Sequence, residues 1–202
     1  MVASQLANKV PSSSRANGCV TLDIPIEGFL ERYRSVDHME TYTLIHVVIS
    51  LIAIAAGFVV LAGLLKNRRL DAWTAIFLVT TIATSVTGFG FPFVRLLPSH
   101  IVGAISLVVL AMAVLARYTY HMARGWRATY VITAVSALYF NVFVLIVQTF
   151  QKVPALAALA PTQSEPPFAV TQLIVLVAFL ILGYLAVIRF REMAVPTARQ
   201  FV

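Results

Sequence analysis

The sequence is poor in cysteine, in charge and in catalytic motifs, and each shortage excludes a class of protein. Its one cysteine, Cys19, has no second cysteine for an internal disulfide, and no Cys/His spacing predicts a zinc or redox site. Only 11% of the residues are charged, against roughly 25% in a typical soluble domain, so an ordinary soluble globule is excluded. No GxSxG, HExxH or Walker-type loop is present, which sets aside serine hydrolases, zincin proteases and P-loop nucleotide hydrolases.

Apolar residues dominate what is present. Of the 202 residues, 60% are hydrophobic. They fall in five runs, each near the roughly 20 residues that a helix needs to cross about 30 Å of hydrocarbon. The runs lie at 43–65, 72–92, 100–118, 127–150 and 168–188. We therefore predict an all-α fold, a polytopic membrane helix bundle with about five transmembrane helices.

The amino-terminal part of the chain differs from this bundle. Residues 1–38 begin with a polar Ser/Asn/Arg stretch that has too little apolar content to fold alone. Within them, 26–36 has apolar residues at helical spacing, which fits either a short amphipathic helix on the membrane surface or a flexible tail. Met39 stands just before the hydrophobic region, so translation from Met1 or from Met39 fits the sequence. We predict the bundle over 39–191 and a cytoplasmic tail over 192–202.

Basic residues flank the apolar runs unevenly, which predicts the orientation of the chain. With five spans, nine basic residues lie on one side of the membrane, and four lie close to the membrane on the other. The nine are Lys66, Arg68, Arg69, Arg117, Arg124, Arg127, Arg189, Arg191 and Arg199, and the four are Arg32, Arg34, Arg95 and Lys152. Because basic loops face the cytoplasm, we expect the amino terminus outside and the carboxyl tail inside. The formal charge of +7 does not predict nucleic-acid binding, because these residues form no continuous basic surface.

Two histidines are the strongest candidates for a cofactor site. At a rise of about 1.5 Å per residue from the inner boundary, His46 in the first run and His100 in the third lie at about the same level, near the outer boundary. Two imidazoles on different helices suit the axial ligands of a b-type haem, or they hold a metal ion with Glu165 as a third ligand. The favoured alternative is that both histidines only form hydrogen bonds between helices and loops.

Polar side chains inside the apolar runs form a second candidate site. Such residues face the interior of a bundle, since exposing them to hydrocarbon is costly. The predicted polar pocket consists of Ser50, Thr84, Asn141, Gln148 and Gln172. It suits a small lipophilic molecule such as a quinone or a lipid, but interhelical hydrogen bonds explain the same residues and are favoured. On the first run, small residues including Ala53 and Gly57 share a face with His46, which predicts close approach of a neighbouring helix.

The chain resembles a known kind of membrane protein. The stretches HVVISLIAIAAGFVVL, TSVTGFGFPF, LLPSHIVGAISLVVLA and ALAPTQSEPPF are similar to those of uncharacterised small multi-pass membrane proteins of bacteria. The resemblance covers 39 to about 191. It implies a bacterial inner (plasma) membrane and no particular mechanism, and it makes the first 38 residues an addition to the core.

Three functions of different classes fit these observations. The first, which we favour, is a non-catalytic accessory subunit that binds a partner or a lipid, because the runs contain no acidic residue and no catalytic motif. The second is an electron-transfer protein that binds haem b through His46 and His100. The third is a carrier or an enzyme for a small lipophilic molecule. The expected partners are the lipid bilayer and either other membrane proteins or a second copy of the chain.

Overall fold

The described part of the chain is helical. The computed structural model describes the backbone of residues 26–90, 98–123 and 125–191, and the side chains of 39–90, 101–123 and 125–191. Over these ranges it contains helices and no strand, which confirms the all-α prediction. The helices are α1 (Ile26–Leu65), α2 (Asp71–Gly88), α3 (Pro98–Val114, continued by a π-helical turn over Leu115–Thr119), α4 (Trp126–Lys152), α5 (Pro154–Leu159) and α6 (Pro166–Arg189).

Two compact units divide the chain, Met1–Glu40 and Thr41–Val202. In the first unit, helical backbone begins at Ile26, within the segment for which the sequence left a helix and a tail open. The second unit holds the rest of α1 and all the other helices.

Four of the described helices are long and apolar enough to cross a membrane, rather than the expected five or so. They are Met39–Leu65, Ile101–Thr119, Trp126–Lys152 and Pro166–Arg189, with mean hydropathy of 2.8, 2.2, 2.2 and 2.5. The missing span is α2, which is helical as predicted but less apolar than the others. Its 18 residues include five threonines, Ser85 and Asp71. The chain is thus a membrane protein with about four helices of clear spanning character.

Although it is less apolar, α2 runs along the bundle beside α1. At its start Asp71 pairs with Arg117, and near its end Thr87 bonds to His46. Its buried face includes Thr74, Thr81 and Ser85. Because these hydroxyls point towards other helices, α2 exposes few polar groups to the surroundings, and its low hydropathy does not prevent it from lying among apolar helices.

The core lies where α1, α2 and α4 meet. Gly57 of α1 faces the fully buried side chains of Phe77 and Leu138, so that the three helices approach closely at this point. The outward faces are strongly apolar, above all on α6, where Leu173, Ile174, Leu180 and Ile181 are more than half exposed. A continuous apolar outer surface around a packed core is what hydrocarbon as a solvent requires.

A π-helical turn ends the third helix. Over Leu115–Thr119 the wider turn places Ala116 and Arg117 in the interior. The chain then reverses through His121 and Met122, whose φ angles of 47° and 58° lie in the left-handed region and cost about 1–3 kcal/mol each for such residues. The Met122 amide donates to the Ala116 carbonyl at 2.9 Å, and the Met122 side chain is buried. These contacts hold the strained turn and keep Arg117 facing inwards.

Candidate functional site

His46 belongs to a hydrogen-bonded cluster between α1 and α2. Its Nδ1 lies 2.8 Å from the Thr87 hydroxyl oxygen, which itself donates to the Ala83 carbonyl at 2.7 Å. When Thr87 donates its one hydroxyl proton to Ala83, its oxygen is placed to accept a hydrogen bond from His46 Nδ1. The Tyr42 hydroxyl donates to the Thr87 carbonyl at 2.5 Å, which adds a second link between the helices.

The second histidine of the predicted pair lies at the limit of the described chain. His100 falls in the first turn of α3, and its side chain lies outside the described residues. The pairing of His46 with His100 therefore stays a prediction. Among the side chains that the structure describes, no three of the His, Cys, Asp and Glu residues lie close enough together to hold a metal ion.

Glu165, the predicted third ligand, braces the turn before α6. Its Oε1 accepts from the Thr162 amide at 3.1 Å and from the Thr162 hydroxyl at 2.9 Å, and its Oε2 accepts from the Ser164 amide at 3.1 Å. Desolvation by the loop raises the pKa of the Glu165 carboxyl. The hydrogen bonds have the larger and opposite effect, and they hold the pKa below its usual range. The Glu165 carboxylate thus forms its hydrogen bonds within its own loop.

The residues of the predicted polar pocket lie at separate helix seams. Ser50 bonds to the His46 carbonyl at 2.7 Å and approaches the Thr84 hydroxyl at 3.4 Å, between α1 and α2. Asn141 donates to Thr81 at 3.2 Å, between α4 and α2. Gln172 donates to the Phe143 carbonyl at 3.3 Å, between α6 and α4, and its buried Oε1 has no hydrogen-bond partner among the described residues. Gln148 is half-buried on α4. Only Ser50 and Thr84 are brought together directly.

The sequence did not predict a polar cluster at the other end of the bundle. We call this end, which is formed by Leu65, Asp71, Arg117, Trp126 and Arg189, the basic end. Its centre is the Arg117 side chain, which is only 6% exposed and pairs through one guanidinium nitrogen with Asp71. The sequence marked Arg117 only as one of nine flanking charges. The sequence feature that could have indicated the cluster is a single arginine inside an apolar run, with one acidic residue at the start of the preceding helix.

Aromatic and hydroxyl side chains surround Arg117. Its guanidinium carbon lies 5.1 Å from the centre of the Tyr130 ring and 5.7 Å from that of Tyr118, within the range of cation–π attraction. The Tyr130 hydroxyl reaches the Thr74 hydroxyl at 3.5 Å, and both side chains are buried. The charge of Arg117 is therefore held in place by α2 and α4 together.

The loop between α1 and α2 folds tightly over this cluster. The Arg68 amide donates to the Gly63 carbonyl at 2.8 Å and the Asn67 amide to the Leu64 carbonyl at 3.2 Å, with Asn67 at a φ of 53°. This is the Schellman pattern of a helix end, in which asparagine tolerates the left-handed position. A Cβ on Gly63 would lie 2.7 Å from Leu70 Cδ1 and 3.2 Å from the Arg68 carbonyl oxygen, so a larger residue here would displace the Leu70 side chain. The motif fixes the backbone as far as Arg68.

The end of α6 is tied to the same loop. The Asn67 side-chain oxygen accepts from the Arg191 amide at 2.7 Å. Arg127 of α4 donates to the Val187 carbonyl at 2.9 Å and to the Phe190 carbonyl, so that a positive charge meets the carbonyl end of the α6 dipole. Phe190 is buried as a result. Four helices and the α1–α2 loop thus converge at one place.

A shallow groove lies between these elements. It is lined by Val60, Leu64, Arg68, Arg69, Leu70, Thr74, Arg117, Tyr130 and Phe190. Among the described residues its lining includes three arginines, and Asp71 pairs with one of the three. The groove has no enclosed space for even a small molecule, so these side chains pack against one another and do not surround a pocket.

Comparison of the chain with models of protein families, with curated proteins and with solved structures found no match. The resemblance to small multi-pass bacterial membrane proteins therefore stays a prediction. The arrangement of the described residues carries the functional argument.

Proposed function

We propose that the chain is a non-catalytic accessory protein of the bacterial inner membrane that binds anionic lipids at its basic end. The observation that carries this proposal is the distribution of charge in the described part of the chain. Seven of its eight basic side chains belong to the basic end, and the eighth, Lys152, ends α4 on the opposite side. The seven are Lys66, Arg68, Arg69, Arg117, Arg127, Arg189 and Arg191. Against them stands one carboxylate among the described residues of this end, that of Asp71.

The same distribution supports an orientation with the basic end in the cytoplasm. In this arrangement α1 and α6 both end on the cytoplasmic side, so the second unit begins outside and ends inside. Anionic head groups of the cytoplasmic leaflet attract basic residues by about 1 kcal/mol for each charge near the surface. Several such charges at one end favour anionic over zwitterionic neighbours.

The interior supports a structural role more than catalysis. Its buried polar groups mostly bond to one another: Ser85 reaches Ser106 at 3.4 Å, and Thr81 accepts from Asn141. Such interhelical bonds specify how helices pack and are worth about 0.6 kcal/mol on average in membranes. They explain the hydroxyl residues of α2 without a substrate.

Lipid retention tests the proposal directly. The full chain is purified in mild detergent, and native mass spectrometry and lipid extraction compare bound phosphatidylglycerol with phosphatidylethanolamine. We expect phosphatidylglycerol to be enriched over its share in the membrane, to raise the unfolding temperature of delipidated protein, and to lose this effect at high salt because charge attraction is screened. Equal retention of the two lipids at low salt would contradict the proposal.

One observation favours haem binding as a second candidate. His46 lies on α1 with its Nδ1 2.8 Å from the Thr87 hydroxyl, and a hydrogen bond on one ring nitrogen is the usual support of a histidine that ligates through the other. His46 therefore fits one axial position, and haem bound there would supply one-electron redox chemistry. We expect a Soret band in the purified protein that is lost in both His46→Ala and His100→Ala. A colourless protein that stays folded after haem supplementation would exclude this candidate.

A further inference from the structure

We propose that Trp73, Tyr118 and Tyr184 lie at one level of the basic end, among the lipid head groups of one leaflet. We call these three side chains the interface belt. They belong to α2, to the π-helical turn after α3 and to α6, and they are 47%, 49% and 68% exposed. Together with Tyr120, they are all the exposed tyrosines and tryptophans among the described side chains. The position of the belt does not depend on the charge of the lipids, so it adds to the proposed binding of anionic lipids without resting on it.

A contact between α4 and α6 places Tyr130 and Tyr184 at about the same level. Arg127 lies at the start of α4 and donates to the Val187 carbonyl, near the end of α6, at 2.9 Å. Because α4 begins where α6 ends, both helices run from this contact into the bundle. Tyr130 lies three residues after Arg127, and Tyr184 lies three residues before Val187. At a rise of about 1.5 Å per residue, both positions are about 4.5 Å inward of the contact.

Tyr130 in turn indicates the level of the other two members of the interface belt. Its hydroxyl reaches the hydroxyl of Thr74, the residue after Trp73, at 3.5 Å. The guanidinium carbon of Arg117 lies 5.1 Å from the centre of the Tyr130 ring and 5.7 Å from that of Tyr118. Exposed aromatic side chains from three separate elements therefore share one level, as residues that mark the boundary of a flat membrane must do.

The interface belt lies where the outer surface changes from aliphatic to charged. Further into the bundle, the exposed side chains of the same helices include Val79 on α2, Val108 on α3 and Ile181 on α6. Nearer the basic end, they include the charged Asp71 and Arg189. Tyrosine and tryptophan suit the level between, because each has an apolar ring for the acyl chains and a polar group for the head groups. The order of aliphatic, aromatic and charged surfaces thus matches the order of acyl chains, boundary and head groups in a leaflet.

Tryptophan fluorescence tests the depth of the interface belt. The chain has two tryptophans, so Trp126→Phe leaves Trp73 as the reporter, and phenylalanine keeps an aromatic ring against Tyr120, on which Trp126 stacks. Two further variants combine Trp126→Phe and Trp73→Phe with a new reporter. Tyr184→Trp places it on α6 within the belt, and Val79→Trp places it on α2 about 9 Å deeper than Trp73. Each full-length variant, checked by circular dichroism, is reconstituted in phosphatidylcholine vesicles whose lipids carry a quencher either on the head group or at the end of an acyl chain.

We expect the head-group quencher to act more strongly than the chain-end quencher on Trp73 and on the Tyr184→Trp reporter, and the two depths to agree. The order should reverse for the Val79→Trp reporter, which should lie about 9 Å deeper. Stronger quenching of Trp73 by the chain-end quencher, quenching by neither, or unequal depths for the two belt positions would overturn the inference. Because the vesicles contain no anionic lipid, these outcomes are independent of the preference for phosphatidylglycerol, which the lipid-retention measurement decides separately.

Discussion

An Asp71→Asn variant is expected to lose about 2–3 kcal/mol of unfolding free energy, because it leaves the Arg117 guanidinium buried without its counter-charge. Breaking a buried ion pair usually costs about 3–5 kcal/mol. The smaller value applies here because the Asp71 side chain is 81% exposed, so that solvent already screens the pair. Unfolding of the purified protein by a denaturing detergent, followed by circular dichroism, measures the loss.

The two members of this pair are not equivalent, and the asymmetry is the sharper test. Arg117→Met should cost less than about 1 kcal/mol, because it fills the same space and leaves Asp71 in contact with water. In the Arg117→Met background, Asp71→Asn should lower the unfolding free energy by only about 0.5 kcal/mol more, because it removes just the favourable charge at the start of α2. A loss in that background as large as in the original chain would mean that Asp71 does not act through Arg117.

Most helices could be predicted from the sequence because the bilayer limits their length. The predicted runs 127–150 and 168–188 correspond to Trp126–Lys152 and Pro166–Arg189 in the structure. Proline at the start of α5 and α6 marks boundaries that are visible in any sequence, since proline fits the first helical turn and resists continuation. The first run was expected to end at residue 65, and α1 ends there at Leu65.

The second run shows that hydropathy alone does not determine the place of a helix in the bundle. It was expected at 72–92 as a span like the others, and α2 occupies Asp71–Gly88 without reaching the hydropathy of the other four long helices. Several of its polar residues face inwards, such as Thr81 against Asn141. Hydropathy averages over all faces of a helix, whereas its place in a bundle depends on which face is polar.

The Arg117 cluster was not predictable for a different reason. Its partners Asp71 and Tyr130 lie 46 and 13 positions away in the sequence, on separate helices. Arg117 points inwards because of a π-helical turn and two residues with left-handed backbone, His121 and Met122. The sequence does not predict this turn, because it contains no glycine or asparagine at either of the two positions. The periodicity of an ordinary helix places residues on faces only while the turn is regular.

The small-residue face of α1 was predictable, and it gives the second large expected effect. Gly57→Ala is expected to destabilise the bundle by about 1–2 kcal/mol, although alanine favours a helix over glycine by about 1 kcal/mol. A Cβ at this position would lie 2.5 Å from Leu138 Cδ1 and 2.9 Å from Phe77 Cε2. Both side chains are 1% exposed, so neither has open space into which to move. The detergent-unfolding measurement used for Asp71 applies here too.

Gly183→Ala on α6 is the matched control, since it makes the same chemical change in another helix. Its Cβ would meet only Val135 Cγ1, at an ordinary 3.4 Å. The gain in helix propensity is then unopposed, and we expect up to about 1 kcal/mol of stabilisation. The two substitutions should therefore have effects of opposite sign that differ by about 1–3 kcal/mol. If Gly57→Ala were as stable as Gly183→Ala, α1 would not pack against α2 and α4 at the distance described, and the close approach inferred from the small residues would be wrong.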